Sequence, residues 1–374
     1  MQEQELIIIN GEEGGGQIMR SALSLSILSG APFRIINIRK GRPKPGLQPQ
    51  HLESLLAAQK ISNANVSGDM LNSTTITFAP AAAKNGTYEF RIKTAGSISL
   101  LLHAVYLPLA FSSGISEILF QGGTHVAWSP TFNYLQDCWL WFMKKIGLHI
   151  DLKLIKPGFY PHGGGLVKAT IFPAREINPL NVVCRGNLLK VKIYSAHSNL
   201  HDEVAHRQAD TAYQILASFL GSSELISIQC ESLPSLSRNT TIALTAIFEN
   251  SVCCFTELGE KGKPAEKVAA DACTKLIDFL QSDAVVDEYM SDQLLLPLAC
   301  NHASNEFTCN KLTSHLKTNL ATINKFFPVS ADIQQLAPYS YKVMLGGKWG
   351  SGRAGEWGSG GAGERESGRT EQPK

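Results

Sequence analysis

The sequence lacks several features that commonly announce a function. It has no apolar run long enough to cross a bilayer. "LLLHAVYLPLAF", Leu100 to Phe111, is the strongest candidate, but a spanning helix needs about 20 such residues, so the stretch reads as a buried helix. "MQEQELIIIN" is acidic and its apolar run is too short for a secretory signal. Net charge is nearly absent, +2 over 374 residues. That excludes a chain-wide field for nucleic acid or membrane and leaves only local basic clusters. Eight cysteines are present but none is spaced C-x-x-C, and Cys253 and Cys254 are adjacent. Neither a zinc ribbon nor a disulfide scaffold is expected, and the thiols read as reduced and mostly buried. The P-loop G-x-x-x-x-G-K-[ST] and the dinucleotide G-x-G-x-x-G are missing too. These absences point to a cytoplasmic protein (nuclear if the cell is eukaryotic) with no membrane partner.

The composition itself is globular: 44% hydrophobic and 18% charged. The length suits two or three domains. Along the chain, "LIIIN" and "FRIINIRK" read as strands around a helix with an Ile18, Ala22, Leu25, Leu28 stripe. "GRPKPGLQPQH" is a loop because of its prolines, followed by a helix from about Gln50 to Ile61. "STTITFAP", "YEFRIKT" and "SEILFQGG" alternate as strands, with helices at "SISLLLHAVYLPLAF" and "TFNYLQDCWLWFMKKIG". This order of strand, helix, strand, helix and paired strands recurs, with a weaker third copy split around a central insertion. It argues an α+β protein with helices layered on sheets. The insertion begins near Arg185, where strands and two helices, Asp202–Leu220 and Pro264–Leu280, make an αβ unit. The expected division is 1–184 and 281–344 for the large domain, 185–280 for the insertion and 345–374 for a Gly-rich disordered tail that cannot offset its chain entropy.

Five stretches could carry chemistry. "EEGGGQIMRSALSLS" puts three glycines before a helix, with Glu13 ahead and Arg20 one turn inside. A helix N-terminus presents free N–H groups to an anion, although a plain strand-to-helix turn has the same letters. "IRKGRPKPGLQPQH" displays Arg39, Lys40, Arg42 and Lys44 on a stiff loop that ends in Gln50 and His51. Arginine forks bind phosphate oxygens in pairs; a solvated loop is the alternative. "TSHLKTN" places His315 behind Thr313 and Ser314, either of which can cap a helix. A neutral imidazole is a competent nucleophile near pH 7, but it can equally be structural. "VVDEYMSDQLLLPLA" sets Tyr289, where a base could stack, beside Asp292 and Gln293 on a helix; a solvated helix face beside a Leu-rich core face is the equal alternative. His197, His201 and His206 invite a metal reading that the strand-to-helix break between them disfavours. A second triplet, Gly163 to Gly165 in "GFYPHGGGLVKATIF", leads into a strand and reads as a structural turn.

Taken together, the strings "EEGGGQIMRSALSLS", "IRKGRPKPGLQPQHL", "TAGSISLLL", "GGTHVAWSP", "GFYPHGGG", "VDEYMSDQL" and "TSHLKTN" resemble, in order, the RNA 3′-terminal phosphate cyclase family. The resemblance spans the chain to about Val329. It implies a large domain of three repeated βα units, similar to enolpyruvyl transferases, with a smaller αβ domain inserted before the third unit. It also implies ATP-dependent closure of an RNA 3′-phosphate into a 2′,3′-cyclic phosphate. By the same resemblance His315 is the nucleotidyl-accepting histidine. Glu13 is associated with Mg2+ or Mn2+ and the ATP phosphates. Arg20, Arg39, Arg42, Gln50 and His51 line the phosphate and RNA site. His103, Pro130, Tyr289, Met290, Ser291, Asp292 and Gln293 lie around the ATP. His103 departs from the family, which carries glutamine there; imidazole cannot reproduce the paired pattern of an amide. RNA 3′-phosphate ends and ATP are the expected partners, and the oligomeric state is left open. A cyclase-like branch without activity, acting in ribosome assembly, is the competing reading; His315 argues against it.

Overall fold

The computed structural model describes residues 5–12, 15–301 and 303–347. Glu13 and the segment 348–374 fall outside them. One topology occurs three times. The first unit runs β1 (Ile7–Asn10), α1 (Gly15–Ser29), β2 (Phe33–Ile36), α2 (Pro49–Ser62), β3 (Asn65–Ser67) and β4 (Ile76–Ala79), with sheet order β1-β2-β4-β3. The second runs β5 (Thr87–Arg91), α3 (Ile98–Ala110), β6 (Ser116–Gly122), a helix in pieces, β7 (Ile150–Lys156) and β8 (Gly165–Ile171), with order β5-β6-β8-β7. Those pieces are α4 (Phe132–Tyr134), a π turn (Leu135–Trp139) and α5 (Leu140–Lys145). In both units the first two strands are parallel and the remaining pairs antiparallel.

The third unit is the split copy. Its first strand, β9 (Asn181–Val182), precedes an insertion of about a hundred residues, and the unit resumes afterwards. The insertion comprises β10 (Leu188–Ser198), α6 (Glu203–Leu220), β11 (Ile226–Ser232), β12 (Asn239–Phe248), β13 (Val252–Leu258) and α7 (Ala265–Leu280). The unit then continues with α8 (Glu288–Leu298), β14 (Ser304–Cys309), α9 (Ser314–Phe326), β15 (Val329–Ala337) and β16 (Ser340–Gly347). Its sheet order is β15-β16-β14-β9, again with β9 parallel to β14. β16 continues through Leu345, which is 2% exposed, and pairs Gly346 with Ser330. The expected tail boundary at 345 therefore falls inside a strand; Gly-rich composition hid a ladder that its β15 partner imposes.

The three units share one apolar core, and the inserted unit has a second. α1 lies at the centre, buried from Ile18 to Leu28 apart from Arg20. Its serines are tolerated there because their hydroxyls are used: Ser21 donates to Asn319 Oδ1 (2.7 Å), Ser24 to the Ala104 carbonyl (3.0 Å) and Ser26 to the Ala31 carbonyl (2.6 Å). A buried hydroxyl left unpaired would cost about 1–3 kcal/mol. The π turn presents Asp137 to the inserted sheet, where Lys192 Nζ and Thr245 Oγ1 both reach it at 3.0 Å. Arg185 closes the junction by donating to the carbonyls of Phe279, Leu280 and Ala284, at the C-terminus of α7, where a cation is favoured. All eight cysteines are free, and five are buried. Among the described residues no helix is long and apolar enough to cross a membrane.

The basic loop is stapled rather than merely stiff. β2 ends at Ile36 because Asn37 and Arg39 turn left-handed, at φ +58 and +55. The loop is then tied down by Gly46 N–H to the Ile38 carbonyl (2.8 Å), Leu47 N–H to Ser73 (3.0 Å) and Asn72 N–H to Leu47 (2.9 Å), with Leu47 fully buried. Gly46 has φ +77, and a Cβ there would strike the Asn72 backbone. We expect Gly46→Ala to lower the unfolding free energy by about 1–3 kcal/mol, read from the midpoint of urea denaturation. An unchanged midpoint would show that the loop is not held as described.

Candidate active site

Four helix N-termini meet at one place. Gly16, in the first turn of α1, faces His51 in the first turn of α2: a Cβ on Gly16 would lie 2.5 Å from His51 Nε2 and 2.9 Å from an Arg20 guanidinium nitrogen. Only glycine leaves that space. Gln17, the next residue of α1, contacts His315 in the first turn of α9. Gln50, in α2, has its Cβ 3.4 Å from where a Gly96 Cβ would be, one residue before the Ser97 cap of α3. Each N-terminus carries about half a positive charge in its free N–H groups, so their convergence favours an anion.

Three arginines add to that field. Arg20 is part-buried, Arg39 part-buried and Arg42 exposed, and among the described residues none has an ion pair. Arg39 Nε donates only to the Lys44 carbonyl (3.3 Å). Burial draws the Arg20 guanidinium down to about 10. Among the described residues these cations lie beside helix N-termini with no ion-paired acid, so the described part of the site favours an anion.

The two histidines of this site are held in opposite tautomers. The Gln48 N–H donates to His51 Nδ1 (3.2 Å), so the His51 proton sits on Nε2, toward Gly16. Burial first, then Arg20 and Arg39, pull His51 down to about 4, so it stays neutral and a donor at pH 7. At His315 the neighbour is the amide oxygen of Gln17, which can only accept. The His315 Nδ1 therefore carries the proton and Nε2 keeps its lone pair. Burial, then Arg20 and Arg42, also lower the His315 pKa. An exposed, neutral imidazole with a free Nε2 is a nucleophile.

The position of His315 is set from α8. Thr313 caps α9 by accepting from the Leu316 N–H (2.9 Å) and donates to Asp292 Oδ1 (2.6 Å). Asn319, one turn on, donates to the Asp292 carbonyl (3.0 Å) and accepts from Ser21 of α1. Burial pushes the Asp292 carboxyl up to about 7, against the pull of Thr313. Asp287 caps α8 with bonds from Tyr289 N–H (2.9 Å), Met290 N–H (2.8 Å) and the Tyr134 hydroxyl (3.0 Å).

The sequence-predicted residues divide under this geometry. Arg20, Arg39, Arg42, Gln50, His51 and His315 come together. Tyr289 is 43% exposed, with its ring edge-on to Tyr134 at 6.4 Å. Gln293 donates to the Tyr289 carbonyl (2.9 Å) and its Oε1 is buried without a partner. The Pro130 carbonyl accepts from Ser99 (2.7 Å), which ties it to α3. His103 packs on Trp139 (5.6 Å), its Nε2 has no partner, and burial followed by Arg20 lowers it to about 3. Met290 and Ser291 are both 0% exposed, because α8 turns them into the core. Glu13 lies outside the described residues. His197 is buried and pairs with Asp202 (2.9 Å), and no cluster of three or more metal-ligating side chains exists among the described residues. Gln17 is the positioning residue that sequence spacing does not single out; its one available signal is its place three residues before Arg20, on the same helix face.

The depressed pKa of His315 has a direct check. Removing a neighbouring cation favours the protonated ring, so Arg42→Gln should raise the His315 pKa toward 6.5, as followed by NMR titration of the imidazole. No change, or a fall, would place Arg42 outside the electrostatic reach of His315.

The family described as RNA 3′-terminal phosphate cyclase matches this chain over residues 11–333. An RNA 3′-terminal phosphate cyclase of Sulfurisphaera tokodaii is 39% identical over 340 residues, covering 90% of this chain and 98% of that protein. Those of Methanopyrus kandleri (39% over 335 residues; 88% and 95%) and Caldivirga maquilingensis (40% over 346 residues; 90% and 96%) are similarly related. Among solved structures, the enolpyruvyl transferase NikO from Streptomyces tendae is 10% identical with a TM-score of 0.35, covering 91% of this chain and 48% of that chain; a likeness that distant does not bear on function. With matching segments along most of both sequences, this chain belongs to the RNA 3′-terminal phosphate cyclase family.

Proposed function

We propose that the protein uses ATP to convert an RNA 3′-terminal phosphate into a 2′,3′-cyclic phosphodiester, with His315 as the nucleotidyl carrier. The observation that carries this reading is the free, neutral Nε2 of His315, set by Gln17 beside arginines that have no ion pair among the described residues. His315 Nε2 attacks the α-phosphorus of ATP. A P–N bond forms, the bond to the bridging oxygen breaks and pyrophosphate leaves. A terminal phosphate oxygen of the RNA then attacks the same phosphorus, which breaks the P–N bond and gives an RNA-adenylate anhydride. The neighbouring 2′-hydroxyl attacks the 3′-phosphorus, loses its proton and expels AMP. Arg20, Arg39, Arg42 and the Nε2–H of His51 meet the phosphate oxygens, as in-line transfer requires. Tyr289 and Pro130 offer surfaces for the adenine, with Gln293 and His103 as nearby polar groups; Gln50 meets the RNA end.

A divalent ion, Mg2+ or Mn2+, is part of the proposal. Such ions sit on one or two carboxylates plus substrate phosphates. Glu13 is the carboxylate we assign to it. When bound, the ion would neutralise charge on the leaving pyrophosphate.

Two outcomes follow. A 3′-phosphorylated RNA incubated with protein and ATP should become resistant to phosphatase, and His315→Ala should abolish this; phosphatase-sensitive RNA with the wild type would refute the cyclase reading. Gln17→Ala should lower the rate of adenylyl transfer about 10- to 100-fold with little change in ATP affinity, because it frees the tautomer without removing the nucleophile. An unchanged rate would mean that the ring orientation is set elsewhere.

A further inference from the structure

Trp128 is the most exposed large apolar side chain among the described residues, at 99%, and it sits at φ +63. A bulky residue rarely adopts that conformation, and Trp128 recovers nothing by packing. Its backbone is nonetheless fixed on both sides. The Ser129 hydroxyl donates to the Val126 carbonyl (3.0 Å), and Ser99 holds the Pro130 carbonyl. A second exposed aromatic, Tyr160 at 69%, stands on the adjoining loop. The two loops are joined by Thr124 and His125 N–H groups, which both donate to the Gly158 carbonyl (2.8 and 3.1 Å), and by the His125 ring stacked on Phe159 at 5.0 Å.

This double loop reaches the site through the second glycine triplet. Gly163 turns at φ +64, and a Cβ there would meet Ala95 Cα at 2.8 Å; the next residue, Gly96, faces Gln50. On the other side the Ser237 hydroxyl of the inserted unit donates to the Phe159 carbonyl (3.0 Å), and His162 N–H donates back to it (3.3 Å). Arg238 follows Ser237, and Lys93 precedes the Ala95 turn. Both are exposed, and among the described residues neither has an ion pair closer than 4 Å; Glu53 is the carboxylate that senses Lys93.

We propose that Trp128 and Tyr160 form a stacking platform for unpaired bases of the RNA strand just upstream of its terminal phosphate, with Lys93 and Arg238 meeting backbone phosphates. The inference rests on the RNA-end reading of the active site. Aromatic faces interleaved with cations are the chemistry of single-stranded nucleic acid, because every base has a face to stack and every link a phosphate. A strand whose end is held at Gln50 must leave the site across this surface or another, and this surface carries the aromatics. The backbone held around Trp128 keeps the indole presented on this face, which lowers the loop-ordering entropy lost when a base lands on it.

Fluorescence anisotropy with single-stranded 3′-phosphorylated RNA tests the platform. Trp128→Ala and Tyr160→Ala should each weaken binding of a long oligonucleotide by roughly 5- to 100-fold. Trp128→Phe should retain most of the affinity, and a dinucleotide should bind all variants as it binds the wild type. Wild-type protein should lose a similar factor on an RNA with abasic sugars upstream of its end. Transfer of labelled AMP to His315 needs no RNA and should be unchanged in the variants, which also shows them folded. Alanine variants that bind long RNA as tightly as the wild type, or abasic RNA that binds equally well, would overturn the platform. Weakened long-RNA binding in a protein that forms no adenylate would uphold the platform and refute the catalytic reading instead.

Discussion

The structure depends on an electrostatic imbalance that the fold itself creates. α1, α2, α3 and α9 begin at one place, and three arginines lie there with no ion pair among the described residues. Each helix terminus stabilises an adjacent anion by about 0.3–1 kcal/mol, and a guanidinium fork by more when water is excluded. Assembling like charges costs stability, and here packing offsets that cost through a buried α1 and a stapled loop. Burial first, and then this field, keep His51 and His315 neutral. Neutrality lets one donate from Nε2 and leaves the other a free lone pair there. A protonated His315 would be useless as a nucleophile, however well placed.

Repetition explains how four helices come to share one end. Every unit orders its strands so that the first two are parallel and the last two return antiparallel. Parallel strands need crossover helices, which lie on one face of the sheet and start from equivalent ends. The three sheets then bury their helices in a single core. The inserted unit leaves after β9, so it interrupts the third copy without breaking the sheet, because β14 still pairs with β9 across the gap. Its Ser237 borders the large unit, bonded to Phe159 and His162.

Much of this was legible from the sequence where the signal is local. α1, α2, α3, α6 and α7 lie close to the bounds expected from their apolar stripes and runs, and Thr313 caps α9 as its position suggests. The strands β3, β9 and β15 are short or exposed, and their existence is decided by a partner far along the chain, which no window of residues contains. Composition misplaced the end of β16 for the same reason. At the site, residue types and motif order singled out Arg20, Arg39, Arg42, His51 and His315, which the fold brings near one another. What they could not supply is tautomer, because Gln17 and His315 are 298 positions apart. Nor could they reveal that Met290 and Ser291 face the core while Tyr289 faces out, since a helix surface is defined by what packs on it. The two glycine triplets, identical as letters, part company in three dimensions. Gly16 clears space for His51 and Arg20, whereas Gly163 turns the chain against Ala95.

The central claim is that this field and this tautomer make His315 the acceptor of AMP. Peptide mapping of the protein after incubation with radiolabelled ATP and magnesium tests it most directly, under alkaline conditions that preserve a phosphoramidate. The account predicts an acid-labile, base-stable label on the peptide that contains His315. A label confined to a different peptide, or a protein that takes up none, would contradict it.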